Sequence, residues 1–128
     1  MTAFLRRLES WAYLLLRVGA GGMFLFHGLQ KLFGMYGGHP VGYLSRLGIE
    51  GAVELIGGGL VALGAWTVPA ALVASLEQAV VYYLAHGFRG AWPIQTGAEQ
   101  TLLYAVVFLF IATRGPGRLA VDRLLGRK

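Results

Sequence analysis

The chain has 128 residues, of which 56% are hydrophobic and only 13% are charged, and it contains no cysteine. A soluble domain carries about a quarter charged residues, so this composition predicts a single integral membrane domain over residues 1–128. Without cysteine, the chain itself can form no disulfide, thiolate metal ligand or thiol nucleophile. The formal charge of +5 is concentrated at the two ends of the chain, which favours an effect on membrane topology over nucleic-acid binding.

The first apolar run predicts a helix at about residues 11–33. At about 1.5 Å per residue, this helix is long enough to cross a hydrocarbon core of about 30 Å. Arg17, His27 and Lys31 fall on one side of the helix at about 100° per residue. We therefore expect that side to face other helices and the apolar remainder to face lipid.

Three further helices are predicted at about residues 49–66, 69–86 and 98–113, followed by a basic amphipathic tail over residues 116–128 on the membrane surface. The predicted fold is an all-α integral membrane four-helix bundle. Seven basic residues lie near the two chain ends, whereas three lie near the helix ends on the other side of the membrane. Because an even number of spans places both ends on one side, the positive-inside rule predicts that both termini are cytoplasmic.

Three segments resemble the DoxX family of small bacterial membrane proteins. They are Arg17 with H-G-x-x-K-L-F-G at residues 27–34, Glu54 with the glycine triplet at residues 57–59, and G-P-G-x-L-x-x-D at residues 115–122. The resemblance extends over nearly the whole chain. It implies a multi-pass protein of the bacterial cytoplasmic (inner) membrane, in a family whose members include some tied to quinone-linked or thiol-linked oxidoreductase systems.

Charged side chains are costly inside the hydrocarbon core, so each one is a candidate for a structural or functional role. The rise along each helix predicts two layers. The lower layer is a structural ion pair between Arg17 and Glu77. The upper layer is a ligand-binding set drawn from four helices: His27, Lys31, Glu54, His86 and Glu99, with Gln78, Tyr82 and Gln100 near them.

The upper layer predicts a polar pocket that opens to the outer side of the membrane. Glu54 and Glu99 would accept hydrogen bonds there and His27 would move protons, as quinone chemistry requires. The chain is thus interpreted as an accessory or quinone-interacting subunit of a membrane oxidoreductase system. A metal site lacks the usual Glu-x-x-His spacing, and a b-type haem between His27 and His86 has no other support in the sequence. The quinone is therefore favoured over both.

Two other functions remain open at this point: a non-enzymatic scaffold or anchor that stabilises a membrane complex, and a small-molecule transporter. In the scaffold, the same polar residues would only lock the bundle together. The alternative for the upper layer is that its residues lie near the lipid headgroups and are hydrated. The expected partners are the lipid bilayer and another protein of a membrane complex, with a homo-oligomer also compatible. The sequence does not identify the ligand, the partner or any catalytic residue.

Overall fold

The computed structural model describes residues 1–86, 92–96 and 98–127. Over these residues every regular element is helical and there is no strand, which confirms the predicted all-α class. The helices are α1 (Thr2–Phe33), α2 (Arg46–Leu63), α3 (Thr67–Val81), α4 (Pro93–Thr96), α5 (Glu99–Arg114) and α6 (Val121–Leu124). A π-helical turn, Tyr82–His86, continues α3.

The four long helices pack side by side. α1 contacts α2, α2 contacts α3, and α5 contacts both α3 and α1. Within the described ranges, two helical stretches, Thr2–Phe33 and Thr67–Leu84, are long and apolar enough to cross a membrane. The number of spans and the orientation of the termini stay predictions.

The helix boundaries differ from those expected. α1 begins at Thr2, because the first residues are mostly good helix formers and include no glycine or proline that would interrupt the helix. α2 begins and ends earlier than expected: the Ser45 hydroxyl accepts a hydrogen bond from the Gly48 amide, and Gly64 closes the helix with a φ of 72°. These are common helix start and stop signals.

α1 and α2 touch through their backbones. A Cβ added to Gly21 would lie 2.6 Å from the Ala62 nitrogen, and one added to Gly58 would lie 2.5 Å from the Leu25 nitrogen. Gly28, seven residues after Gly21, faces α2 in the same way. No side chain fits at these positions, so the glycines set the distance between the two helices.

An aromatic cluster joins α1 to α5. Phe24 is fully buried, and its ring centroid lies 4.7 Å from that of Phe108 and 5.4 Å from that of Tyr104. α3 is joined to α5 by the Ser75 hydroxyl, which donates to the Ala105 carbonyl at 2.7 Å. These contacts join α5 to both α1 and α3.

The tail after α5 folds back against the helix ends, and Arg17 binds it. The Arg17 side chain is buried and only 1% exposed. Its guanidinium donates hydrogen bonds to the carbonyls of Pro116, of Arg118 at 2.8 Å, of Leu119 at 3.0 Å and of Ala62 at 3.4 Å. The tail is therefore part of the packed structure and is more than a surface segment.

Arg17 thus has backbone carbonyls as partners in place of Glu77, and no ion pair joins the two residues within the described ranges. The physical reason is the turn after α5. Gly115 and Gly117 adopt φ values of 90° and 70°, so the chain leaves the helix and presents carbonyls that no helical N–H satisfies. Glu77 accepts a hydrogen bond from Gln78 at 2.7 Å instead.

Asp122 caps α3 from the tail. Its carboxylate accepts hydrogen bonds from the Trp66 amide at 2.8 Å, from the Thr67 amide at 2.8 Å and from the Thr67 hydroxyl at 2.7 Å. Arg127 Nε donates to it at 2.9 Å. Burial raises the pKa of Asp122, but the hydrogen bonds outweigh this effect and lower the pKa from 3.8 to about 2. The N-terminus of α3 is thus stabilised by a residue more than 50 positions away.

The first prediction concerns the glycine contact. Gly21→Ala should destabilise the protein by about 1–3 kcal/mol, because its methyl group would push the two backbones apart. Gly22→Ala is the matched control, since a Cβ at Gly22 meets nothing within 4 Å. Thermal unfolding in detergent, followed by circular dichroism, measures both variants. Equal melting temperatures for the two would contradict the assigned contact.

The second prediction concerns the cap. Asp122→Ala should destabilise the protein by about 1–2 kcal/mol near neutral pH, as loss of a helix cap does. The pKa of Asp122 is lower in the folded state, so its contribution is complete above pH 4 and is lost as the pH falls through 2. The difference in melting temperature between wild type and variant should therefore shrink over that range. A difference independent of pH would argue against a charged cap.

Candidate functional site

A polar cavity of about 230 Å³ lies between α1, α2, α3 and α5, at the opposite end of the helices from the docked tail. Its lining combines charged, amide and aromatic side chains. These are Phe24, His27, Lys31, Arg46, Leu47, Glu50, Glu54, Gln78, Val81, Gln100, Thr101 and Tyr104. Each of the four long helices contributes at least one polar side chain.

Lys31 is the centre of a charged network on one wall. Its ammonium lies 2.7 Å from Glu54 Oε1 and 3.4 Å from Glu50 Oε2, and Arg46 Nε lies 3.3 Å from Glu50 Oε1. Glu50 and Glu54 are one helical turn apart, so both reach the same face of α2. Two cations balance two carboxylates, which compensates the buried charges of Glu50 and Glu54.

The close approach of α1 and α2 brings these charges together. A Cβ at Gly28 would lie 2.7 Å from the carbonyl oxygen of Gly51. The two helices run antiparallel, since Gly21 faces Gly58 and Gly28 faces Gly51. Lys31 therefore lies beside Gly51, where an added Cβ would be 3.1 Å from Lys31 Cβ, and its side chain reaches both Glu50 and Glu54.

Glu54 has an unused acceptor. Its side chain is only 4% exposed, and Oε1 binds Lys31. The other oxygen, Oε2, is buried and has no hydrogen-bond partner among the described residues. Leaving such an acceptor unsatisfied costs about 1–3 kcal/mol. A hydroxyl or N–H group bound in the cavity would remove that cost.

His27 and Gln100 face each other across the cavity from α1 and α5. The Gln100 side-chain nitrogen lies 3.1 Å from His27 Nε2. The donor in this contact is set by the imidazole tautomer and by the orientation of the Gln100 amide. The His27 ring also meets Tyr104 edge-on, with ring centroids 6.0 Å apart. These two contacts hold the imidazole in place at the cavity wall.

Gln78 supplies the contribution of α3. It is 4% exposed, lines the cavity, and donates to Glu77 Oε2 at 2.7 Å. The other Glu77 oxygen is buried and has no hydrogen-bond partner among the described residues. Glu77 itself does not line the cavity.

Three of the five residues expected to bind a ligand meet here, namely His27, Lys31 and Glu54. Glu99 does not: it is exposed and lines an outer groove with Trp92 and Ile94. α5 begins at Glu99, and one residue turns a helix by about 100°, so Gln100 reaches the cavity in its place.

The side chain of His86 lies outside the described part of the chain, so its assignment to the pocket stays a prediction. The same holds for a haem between His27 and His86. Among the described residues, no group of three histidine, aspartate or glutamate side chains is arranged to hold a metal ion.

The sequence prediction did not assign Glu50 or Arg46 to the pocket. The four-residue spacing of Glu50 and Glu54 could have indicated it for Glu50, because this spacing places both carboxylates on one face of α2. No sequence pattern indicates that Arg46 lines the pocket, because its position depends on where α2 begins.

An apolar groove adjoins the cavity between α1 and α5. It has a volume of about 340 Å³, and its walls include Ala20, Met23 and Leu103. Gln100 and Tyr104 line both spaces. The polar cavity and the apolar groove are therefore neighbours along the same pair of helices.

Comparison with known proteins gives two matches. The sequence model of the DoxX family matches residues 12–87. A protein of Haemophilus influenzae, described as an uncharacterized protein, is 33% identical over 120 residues, which cover 88% of this chain and 90% of that protein. No solved structure matches the chain. The family match includes His27, Lys31, Glu50, Glu54 and Gln78, and it ends before Gln100 and the tail.

Proposed function

The chain belongs to the DoxX family of membrane proteins, and on this premise we propose that it spans the bacterial inner membrane four times with both termini in the cytoplasm. The packing of four long helices and the excess of basic residues at the chain ends support this arrangement. The polar cavity then opens toward the outer side, and the docked tail lies at the cytoplasmic end.

We propose that the cavity binds a quinone-like ligand and that the protein is an accessory subunit of a membrane oxidoreductase system. The observation that carries the proposal is the state of Glu54: it is buried, one oxygen binds Lys31, and the other has no hydrogen-bond partner among the described residues. A hydroxyl of a reduced ring would donate to this free oxygen. Carbonyl oxygens of an oxidised ring would accept from Lys31 or Gln100.

The remaining lining supports the same ligand class. The cavity of about 230 Å³ suits a single six-membered ring with small substituents. His27 lines the cavity with an imidazole, the side chain that most often transfers protons near neutral pH. The groove that shares Gln100 and Tyr104 would take an apolar chain attached to the ring. Since the chain has no cysteine, any thiol oxidation would occur on a partner protein.

A second function is favoured by a different observation. The charges of Lys31, Arg46, Glu50 and Glu54 compensate one another without a ligand. Such a network could serve only to hold α1 against α2 in a scaffold or anchor for a membrane complex. The two functions differ in what a substitution at Glu54 should do.

The third prediction separates them. Glu54→Gln should weaken binding of a short-chain quinol, such as decylubiquinol, about tenfold or more, because the hydrogen bond from the ring hydroxyl to the Glu54 carboxylate is lost. The amide oxygen can still accept from Lys31, so the melting temperature should change little. Binding is measured by titration of the purified protein in detergent, and copurified quinone by solvent extraction and chromatography.

Glu99→Gln is the matched control: it makes the same chemical change on an exposed residue outside the cavity. It should leave quinol binding unaltered. Equal quinol binding by both variants and wild type, or no quinol binding by any of them, would overturn the quinone proposal. Unfolding of Glu54→Gln together with an absence of binding by wild type would favour the scaffold.

The fourth prediction tests topology. Single cysteines can be introduced into this cysteine-free chain at Leu44, in the loop before α2, and at Leu125, after α6; both side chains are well exposed. In intact cells, a membrane-impermeant maleimide should label Leu44→Cys and spare Leu125→Cys until the membrane is opened. Labelling of both from outside would refute the proposed orientation.

A further inference from the structure

A second groove, distinct from the polar cavity, lies at the tail end of the helices. It has a volume of about 850 Å³ and is bounded by α1, by the end of α2 and by the tail. Leu15, Val18 and Leu63 form much of its wall and are exposed. Apolar side chains of this kind, in a membrane protein, are suited to contact acyl chains.

The charged residues of this groove are all cationic. Arg17, Arg118 and Arg123 line it, and no carboxylate does. Arg17 is occupied by the carbonyls that hold the tail. Arg118 and Arg123 are exposed, so their guanidinium groups are available at the rim.

The arginines of the tail differ in whether they have a carboxylate partner. Arg114 forms an ion pair with Glu9, and Arg127 forms one with Asp122. Arg118 stacks on the Trp11 ring, with its guanidinium carbon 4.6 Å from the centroid, and has no carboxylate partner among the described residues. Arg123 likewise has no carboxylate partner there. Among the tail arginines, the two without a carboxylate partner in the described residues are thus the two that line the groove.

We propose that this groove is a binding site for an anionic phospholipid. The phosphate of the headgroup would accept hydrogen bonds from Arg118 and Arg123, and one acyl chain would lie along Leu15, Val18 and Leu63. Basic pockets beside membrane helices select anionic lipids in this way. The site depends on the membrane location of the chain and not on the quinone proposal.

The docked tail makes the site specific. Arg17 holds the tail against α1 through the carbonyls of Arg118 and Leu119, and Asp122 holds it at the N-terminus of α3. Arg118 and Arg123 are therefore presented at defined positions beside an apolar wall, unlike Arg6 and Arg7, which lie on the exposed first turns of α1. Substitution of Arg6 and Arg7 is therefore a matched control, because it removes the same number of charges from outside the groove.

The test compares phosphatidylglycerol with phosphatidylcholine of the same acyl chains, bound to the purified full chain in detergent and measured by native mass spectrometry. Wild type should bind phosphatidylglycerol more tightly. The variant Arg118→Gln/Arg123→Gln should lose about fivefold for each arginine removed, as expected for a charge near a lipid headgroup. The control Arg6→Gln/Arg7→Gln should keep the preference of wild type.

Two further measurements distinguish a lipid site from a surface charge effect. Leu63→Trp keeps every charge but fills the groove, so it should weaken phosphatidylglycerol binding without lowering the melting temperature. Inorganic phosphate at millimolar concentration should not displace the lipid. Equal losses in the two arginine variants, no effect of Leu63→Trp, or displacement by phosphate would each overturn the proposal.

Discussion

The backbone contact between α1 and α2 is the constraint on which the rest of the structure depends. Gly21, Gly28 and Gly58 leave no space for a side chain at this interface. Because the helices lie so close, Lys31 reaches the carboxylates of α2 at one end, and Arg17 reaches the Ala62 carbonyl at the other. A methyl group between the helices would weaken both polar clusters at once.

The two ends of the molecule stabilise their buried charges in different ways. At the tail end, Arg17 is surrounded by carbonyls, and Asp122 is surrounded by N–H and hydroxyl donors. At the cavity end, Lys31 binds two carboxylates, and Glu54 Oε2 has no hydrogen-bond partner among the described residues. Backbone and hydroxyl groups thus compensate the buried charges at one end, whereas charged side chains compensate one another at the other end.

The motifs that resemble the DoxX family each have a physical role in this chain. Gly28 permits the close helix contact, and Lys31 forms the ion pairs that face it. Gly115 and Gly117 adopt positive φ values that turn the chain out of α5. Asp122 caps α3. Together these motif residues bring α1, α2, α3 and the tail into contact.

Local sequence determined the all-helical, apolar character of the chain and the polar side of α1 with Arg17, His27 and Lys31, because both follow from composition and helical periodicity. The partners of these residues were decided only by the tertiary structure. Arg17 binds carbonyls about 100 residues away, and Gln100 reaches the cavity where Glu99 was expected. Such contacts depend on helix rotation and on the path of the tail, which are set by packing between distant segments.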